Sequence, residues 1–152
     1  MRSVLRSGGA AFALMLALAG AVLPAAVSAQ EEEITPNAFV RGQGVLTAGG
    51  DGLVAVKGRM DLVASGDRGV VLVKDLAGDG DVDITGIGGT GTYMGFDVYF
   101  GVHGRMHVTG SHVAVIIVGD DVRLHVAGRG WAYLKGRGRY ELNGLGPIPV
   151  DG

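Results

Sequence analysis

The chain has no cysteine in 152 residues. That absence excludes disulfide staples, thiol catalysis, cysteine zinc sites and lipid attachment to an N-terminal cysteine. Serine is also scarce. Beyond Ala29 only Ser65 and Ser111 occur, and no Gly-x-Ser-x-Gly elbow is present. The carboxylates are scattered, and runs such as Gly88-Gly-Thr-Gly-Thr92 open no helix, so they are not phosphate cradles. No catalytic motif stands out, and the chain is read as a non-enzyme that needs no cofactor. Only one long apolar run exists, from Ala10 to Leu23.

That run carries the compartment signal. Arg2 and Arg6 precede it, Pro24 breaks it, and Val27-Ser28-Ala29 supplies small residues for cleavage. This three-part order is that of a secretory signal peptide, and the run is short for a membrane span of about 20 residues. Cleavage after Ala29 leaves 123 residues, enough for one domain with its own core. The expected product is secreted or periplasmic, with no transmembrane segment. Loss of Arg2 and Arg6 leaves 11 Lys and Arg against 15 Asp and Glu, a formal charge of −4. Mild acidity favours solubility and argues against a nucleic-acid partner.

What the chain has in quantity is glycine, 29 residues, laid over a period of two. Residues 30–38 read as a flexible acidic leader, 39–146 as a single glycine-rich β domain and 147–152 as a tail. From Val122 the even positions run Val, Leu, Val, Gly, Gly, Ala, Leu, Gly, Gly, Tyr, Leu, while the odd ones are mostly Arg, His, Lys, Trp and Tyr. That is the alternation of a strand with one buried face, and helical spacing would scramble it. The same parity runs through Val40–Ala48, Val54–Ala64, Val102–Gly110, Ala114–Val118 and Val82–Ile84. Glycines recur every eight residues, at 42, 50, 58 and 66, at 78 and 86, and at 128, 136 and 144. Eight is even, so each repeat keeps its inward side. A two-residue hairpin loop would invert it, so these glycines read as strand bends or as three-residue loops closed by a bulge. The fold class is all-β. Two architectures fit: a flattened barrel or sandwich of long, glycine-bent antiparallel strands, or a small β-solenoid of stacked octads.

The stretch Leu76-Ala-Gly-Asp-Gly-Asp-Val-Asp-Ile-Thr-Gly86 resembles the glycine-rich putative adhesin head domains of the GIN type. The specific match covers some ten residues and the general texture residues 40–144. The resemblance implies a bacterial, extracytoplasmic β domain with a surface role and no catalytic residues.

Four constellations bear on function. Asp79, Asp81 and Asp83, with Asp75 upstream, supply alternate carboxylates of the kind calcium takes. The loop pattern stops there, because Ile84 stands where a turn glycine belongs, and the other reading is a charged strand edge that blocks pairing. His103, His107 and His125 share the outer face while His112 lies on the even face, and 103 and 107 are too far apart along a strand to ligate one metal. The outer-face residues Arg123, Arg129, Trp131, Tyr133, Lys135, Arg137 and Arg139 interleave cations with aromatics. Such a surface stacks on sugar rings and pairs with their anionic groups, so the first six are the candidate site for an anionic glycan. Finally, Val113, Val115 and Ile117 are as apolar as the residues between them. A strand apolar on both sides is central or covered. Either the domain's own chain covers it, or these three residues form a self-association surface. The leading expectation is a structural or adhesive surface-binding module at the cell envelope. A carrier holding a small apolar ligand inside a barrel and a calcium-stabilised surface protein are the alternatives.

Overall fold

A computed structural model describes residues 37–150. The expected signal peptide, and the leader up to residue 36, lie outside the described residues. Five strands follow in chain order: β1 (Ala38–Asp75), β2 (Asp81–Ile84), β3 (Gly89–Tyr93), β4 (Phe96–Leu142) and β5 (Leu145–Val150). All join one antiparallel sheet that is not closed into a barrel.

β1 and β4 are far longer than the usual strand of about 5–6 residues, and their register explains how they fit. Val126 pairs with both Leu46 and Leu62, Leu124 with Ala48 and Ala64, and Ala132 with Val40 and Val56. Each pair of β1 partners is 16 residues apart. The two strands therefore wind about each other, and β1 returns beside itself after two octads with β4 between. Half a turn is one octad. The windings flatten into two layers. One holds residues 38–42, 52–58, 69–75, 96–102, 113–119 and 130–136 with β3. The other holds 44–50, 60–66, 104–110, 122–128 and 138–142 with β2 and β5. A flattened sandwich is thus built by the octad repeat.

The chain crosses between layers at glycines that face one another. Gly42 and Gly58 both pair with Gly130, Gly44 with Gly128, Gly50 with Gly138 and Gly52 with Gly136. The backbones meet closely there. A Cβ at Gly58 would lie 2.2 Å from the Arg129 carbonyl oxygen, and one at Gly130 2.0 Å from that of Lys57. Gly58 also has φ +147°, which L side chains rarely adopt. These octad glycines are strand bends. Two-residue turns do occur elsewhere, at Met94-Gly95 and Asn143-Gly144, where all four residues have positive φ.

Side chains from both layers meet in one core that includes Leu46, Leu62, Val71, Val108, Val113, Val115, Leu124 and Leu134. Leu62 and Val108 are fully buried, and each such side chain contributes roughly 1.5–3 kcal/mol. The even-in parity holds through 46–64, 102–108 and 122–134, but not everywhere. It shifts by one residue near Arg68, Gly101 and Asp121, each at positive φ, and again between 108 and 113. A one-residue bulge turns every following side chain over. Hence Val71, Val73, Val113, Val115 and Ile117 point inward, while Ala114, Ile116 and Val118, expected inward, point out. On that outer side Ile116 lies between Ala55 and Leu72, and Leu72 beside Val98, forming a second apolar layer across four strands. Residues 147–150, expected as part of a tail, complete β5, and 148–150 pair with 138–140.

The corner contacts set a stability prediction. Gly58→Ala and Gly130→Ala each press a methyl group into a carbonyl that belongs to backbone, and are expected to destabilise the domain by about 3 kcal/mol or more. Gly89→Ala, which meets nothing within 4 Å, is expected to change stability by less than about 1 kcal/mol. Chemical denaturation followed by circular dichroism separates the two classes.

Candidate binding surface

Along β4 the odd residues from 123 to 137 face solvent, but they do not form one patch. The strand passes over the corner at Gly128 and Gly130, so the stripe is divided between layers. Tyr133 lies beside Phe39 and Ala55, and Lys135 beside Leu53. Both are half-buried against the outer apolar layer, and burial raises the Tyr133 phenol above its ordinary pKa. Arg137 sits opposite Asp51 at the second corner. Arg123 stands on the other layer, in a loose 3.4 Å ion pair with Asp121.

Arg129 and Trp131 remain, at the first corner, and the winding brings them company. Trp131 is flanked by Arg41 on one side and Lys57 on the other; Arg129 is flanked by Gln43 and Arg59. Arg41 and Lys57 are 16 residues apart, one full winding. Phe39 stacks on Trp131, with ring centroids 6.1 Å apart and planes 28° apart. The same corner borders a cleft of about 170 Å³. Its lining joins Arg41, Lys57, Arg59, Arg129, Trp131 and the glycines at 42, 44, 128 and 130 to the inward-facing Leu46, Val56, Met60 and Val126. Among the described residues none of these four cations is in an ion pair. Arg59 stands directly opposite Arg129, and like charges so placed repel. Among the described residues neither arginine has a carboxylate in ion-pair contact.

The stripe 123–137 was visible in the sequence; Arg41, Lys57 and Arg59 were not assigned to it. The signal that finds them is the octad. Residues two octads apart flank the same β4 residue.

The remaining candidates fall elsewhere. Val113, Val115 and Ile117 are at most 5 % exposed and belong to the core, so a bulge removes their side chains from any self-association surface. Asp79, Asp81 and Asp83 do not converge. Asp81 and Asp83 alternate along the exposed edge strand β2, and Asp79 accepts a hydrogen bond from the Ser111 amide at 3.0 Å. No three acidic or histidine side chains among the described residues are grouped to hold a metal ion. His107 pairs with Asp61 at 2.8 Å and His103 with Asp67 at 2.5 Å. The hydrogen bond from His103 holds the Asp67 carboxyl below its ordinary value. Between the layers, the cavity lined by Val71, Val102, Met106 and Ile117 is about 20 Å³, the room of about one water.

Comparison with protein-family models, with curated proteins and with solved structures finds no match.

Asp75 is an acid-sensitive element of the loop before β2. Its carboxylate accepts hydrogen bonds from the amides of Gly80 at 2.7 Å, Gly78 at 2.8 Å and Ala77 at 3.0 Å, and so ties down the loop before β2. These bonds, Gly80's foremost, lower its pKa below the ordinary 3.8. The folded value lies below the unfolded one. The contribution is therefore complete above the ordinary carboxylate range and is lost as pH falls through the depressed value. Amide protection at Gly78 and Gly80 is expected to hold from neutral pH to about pH 4 and to fall below it. Asp75→Ala is expected to lose that protection already at neutral pH, as read by hydrogen exchange.

Proposed function

We propose that the domain is a non-enzymatic, secreted or periplasmic module that binds anionic glycan at the cell envelope, through the cleft around Trp131. One observation carries the reading. Four cations with no ion pair among the described residues stand beside an aromatic pair, and two of them face each other across adjacent strands. An indole face stacks on the apolar side of a sugar ring, and flanking guanidinium groups form paired hydrogen bonds with carboxylate or sulfate.

Other features support the same class. Between residues 37 and 150 basic and acidic side chains balance at eleven each. Attraction is thus local to the cleft rather than a field over the whole surface, which suits a glycan better than nucleic acid. The likeness to extracytoplasmic adhesin heads and the signal-peptide pattern point to the same side of the membrane. The packed interior argues against a carrier.

Retention on a column of sulfated polysaccharide tests this. The parent is expected to bind at low salt and elute as salt rises. Trp131→Ala and Arg129→Ala are each expected to elute at lower salt than the parent, and the double variant at lower salt still. Unchanged retention of a folded double variant would remove the cleft as the binding site.

A further inference from the structure

The second layer carries a separate cationic feature. The register sets Arg105 opposite Ser65, Ser65 opposite Arg123, Arg123 opposite Gly49, and Gly49 opposite Arg139. The five residues form one row across five adjacent strand segments, on the solvent face. Every second place is an arginine, and the places between hold the small residues Ser and Gly. Adjacent strands are about 4.8 Å apart, so successive arginines stand about 10 Å apart and the row spans about 20 Å. They line an open groove of about 720 Å³ whose wall also includes Thr47, His125 and Pro147. Glu141 is the one carboxylate among the lining residues. Arg105 and Arg139 have no ion pair among the described residues. The link from Arg123 to Asp121 is long and joins side chains 74 % and 71 % exposed, so an incoming anion displaces it at little cost.

We infer that this row is a binding site for an extended acidic polysaccharide that carries one anionic group per disaccharide. Three points lead there. The first is spacing: the anions of a polymer lying across the strands must recur about every 10 Å to meet all three arginines, which is the repeat of an extended disaccharide unit. The phosphates of a nucleic-acid strand recur far more closely, about every 3.4 Å along a duplex. The second is the floor. Gly49 and Ser65 lie low between the guanidinium groups and leave space for the intervening sugar rings. The third is the neighbouring row, where Thr47 and His125, 3.3 Å apart, offer hydroxyl and imidazole groups to sugar hydroxyls.

The site deepens the glycan reading given above, but it stands on other side chains, so the two fail separately. The probe is hyaluronan, with one carboxylate per disaccharide, as purified oligosaccharides carrying one, two, three or four carboxylates. Binding to the protein is measured by calorimetry at low salt. Affinity is expected to rise about three- to tenfold with each carboxylate up to the third, and then to level off. Arg105→Gln, Arg123→Gln and Arg139→Gln are each expected to weaken the three-carboxylate ligand about three- to tenfold. The triple variant should melt like the parent and lose the length dependence. Trp131→Ala is expected to keep it, even though that change lowers the salt needed for elution from the sulfated column. Absence of binding, equal affinity for one and three carboxylates, or an unchanged dissociation constant in the folded triple variant would each overturn the inference. So would tighter binding of inorganic polyphosphate or single-stranded nucleic acid than of hyaluronan.

Discussion

Close approach of backbone at paired glycines is the constraint on which the rest of the structure rests. Two strands of 38 and 47 residues cannot run straight through a domain of this size; they must turn, and they turn together. Where Gly58 faces Gly130, or Gly50 faces Gly138, neither strand has a Cβ to hold the other away. A carbonyl occupies the place a methyl group would fill. The bend needs no break in the hydrogen-bonded ladder, so the chain changes layers without leaving backbone groups unsatisfied. Closely paired corners then press the layers together, and the apolar faces close on one another.

The winding also decides which residues become neighbours. Because one turn is 16 residues, a position on β4 collects two partners from β1 that are distant in sequence. Trp131 meets Arg41 and Lys57; Arg123 meets Gly49 and Ser65. Both cationic features arise in this way. Neither is a run of basic residues, and no local window contains one.

Much of this was legible in the sequence, and the limits have physical causes. Period two made the strands plain, and the eight-residue glycine spacing marked the corners. Of the architectures that fitted, the flattened sandwich is the one found: the sheet is not closed into a barrel, and its segments pair antiparallel rather than stacking as solenoid octads. What the pattern did not show was register. The irregularity between 108 and 113 and the bulge near Asp121 turn one stretch over, so Val113, Val115 and Ile117 enter the core while Ile116 leaves it. A bulge adds one residue and leaves no strong mark in composition. The site was half legible for the same reason. Arg129 and Trp131 lie on one strand and could be read together, whereas Arg41, Lys57 and Arg59 join them only through pairing.

The form of the binding surfaces bears on what they can take. An enclosed pocket recognises a small molecule by surrounding it, whereas the groove along the arginine row is open on an outer face. Antiparallel strands repeat at a fixed interval, and a row of alternate arginines turns that interval into a ruler for charge. Such a surface makes weak contacts singly, because exposed ion pairs contribute little. It gains strength only when one chain of ligand bears several anions at the matching step, so that later contacts form at high effective concentration. On the proposed reading, a domain that is neutral overall between residues 37 and 150, yet carries cations at one corner and in a regular row, gains affinity from polymers rather than from isolated ions.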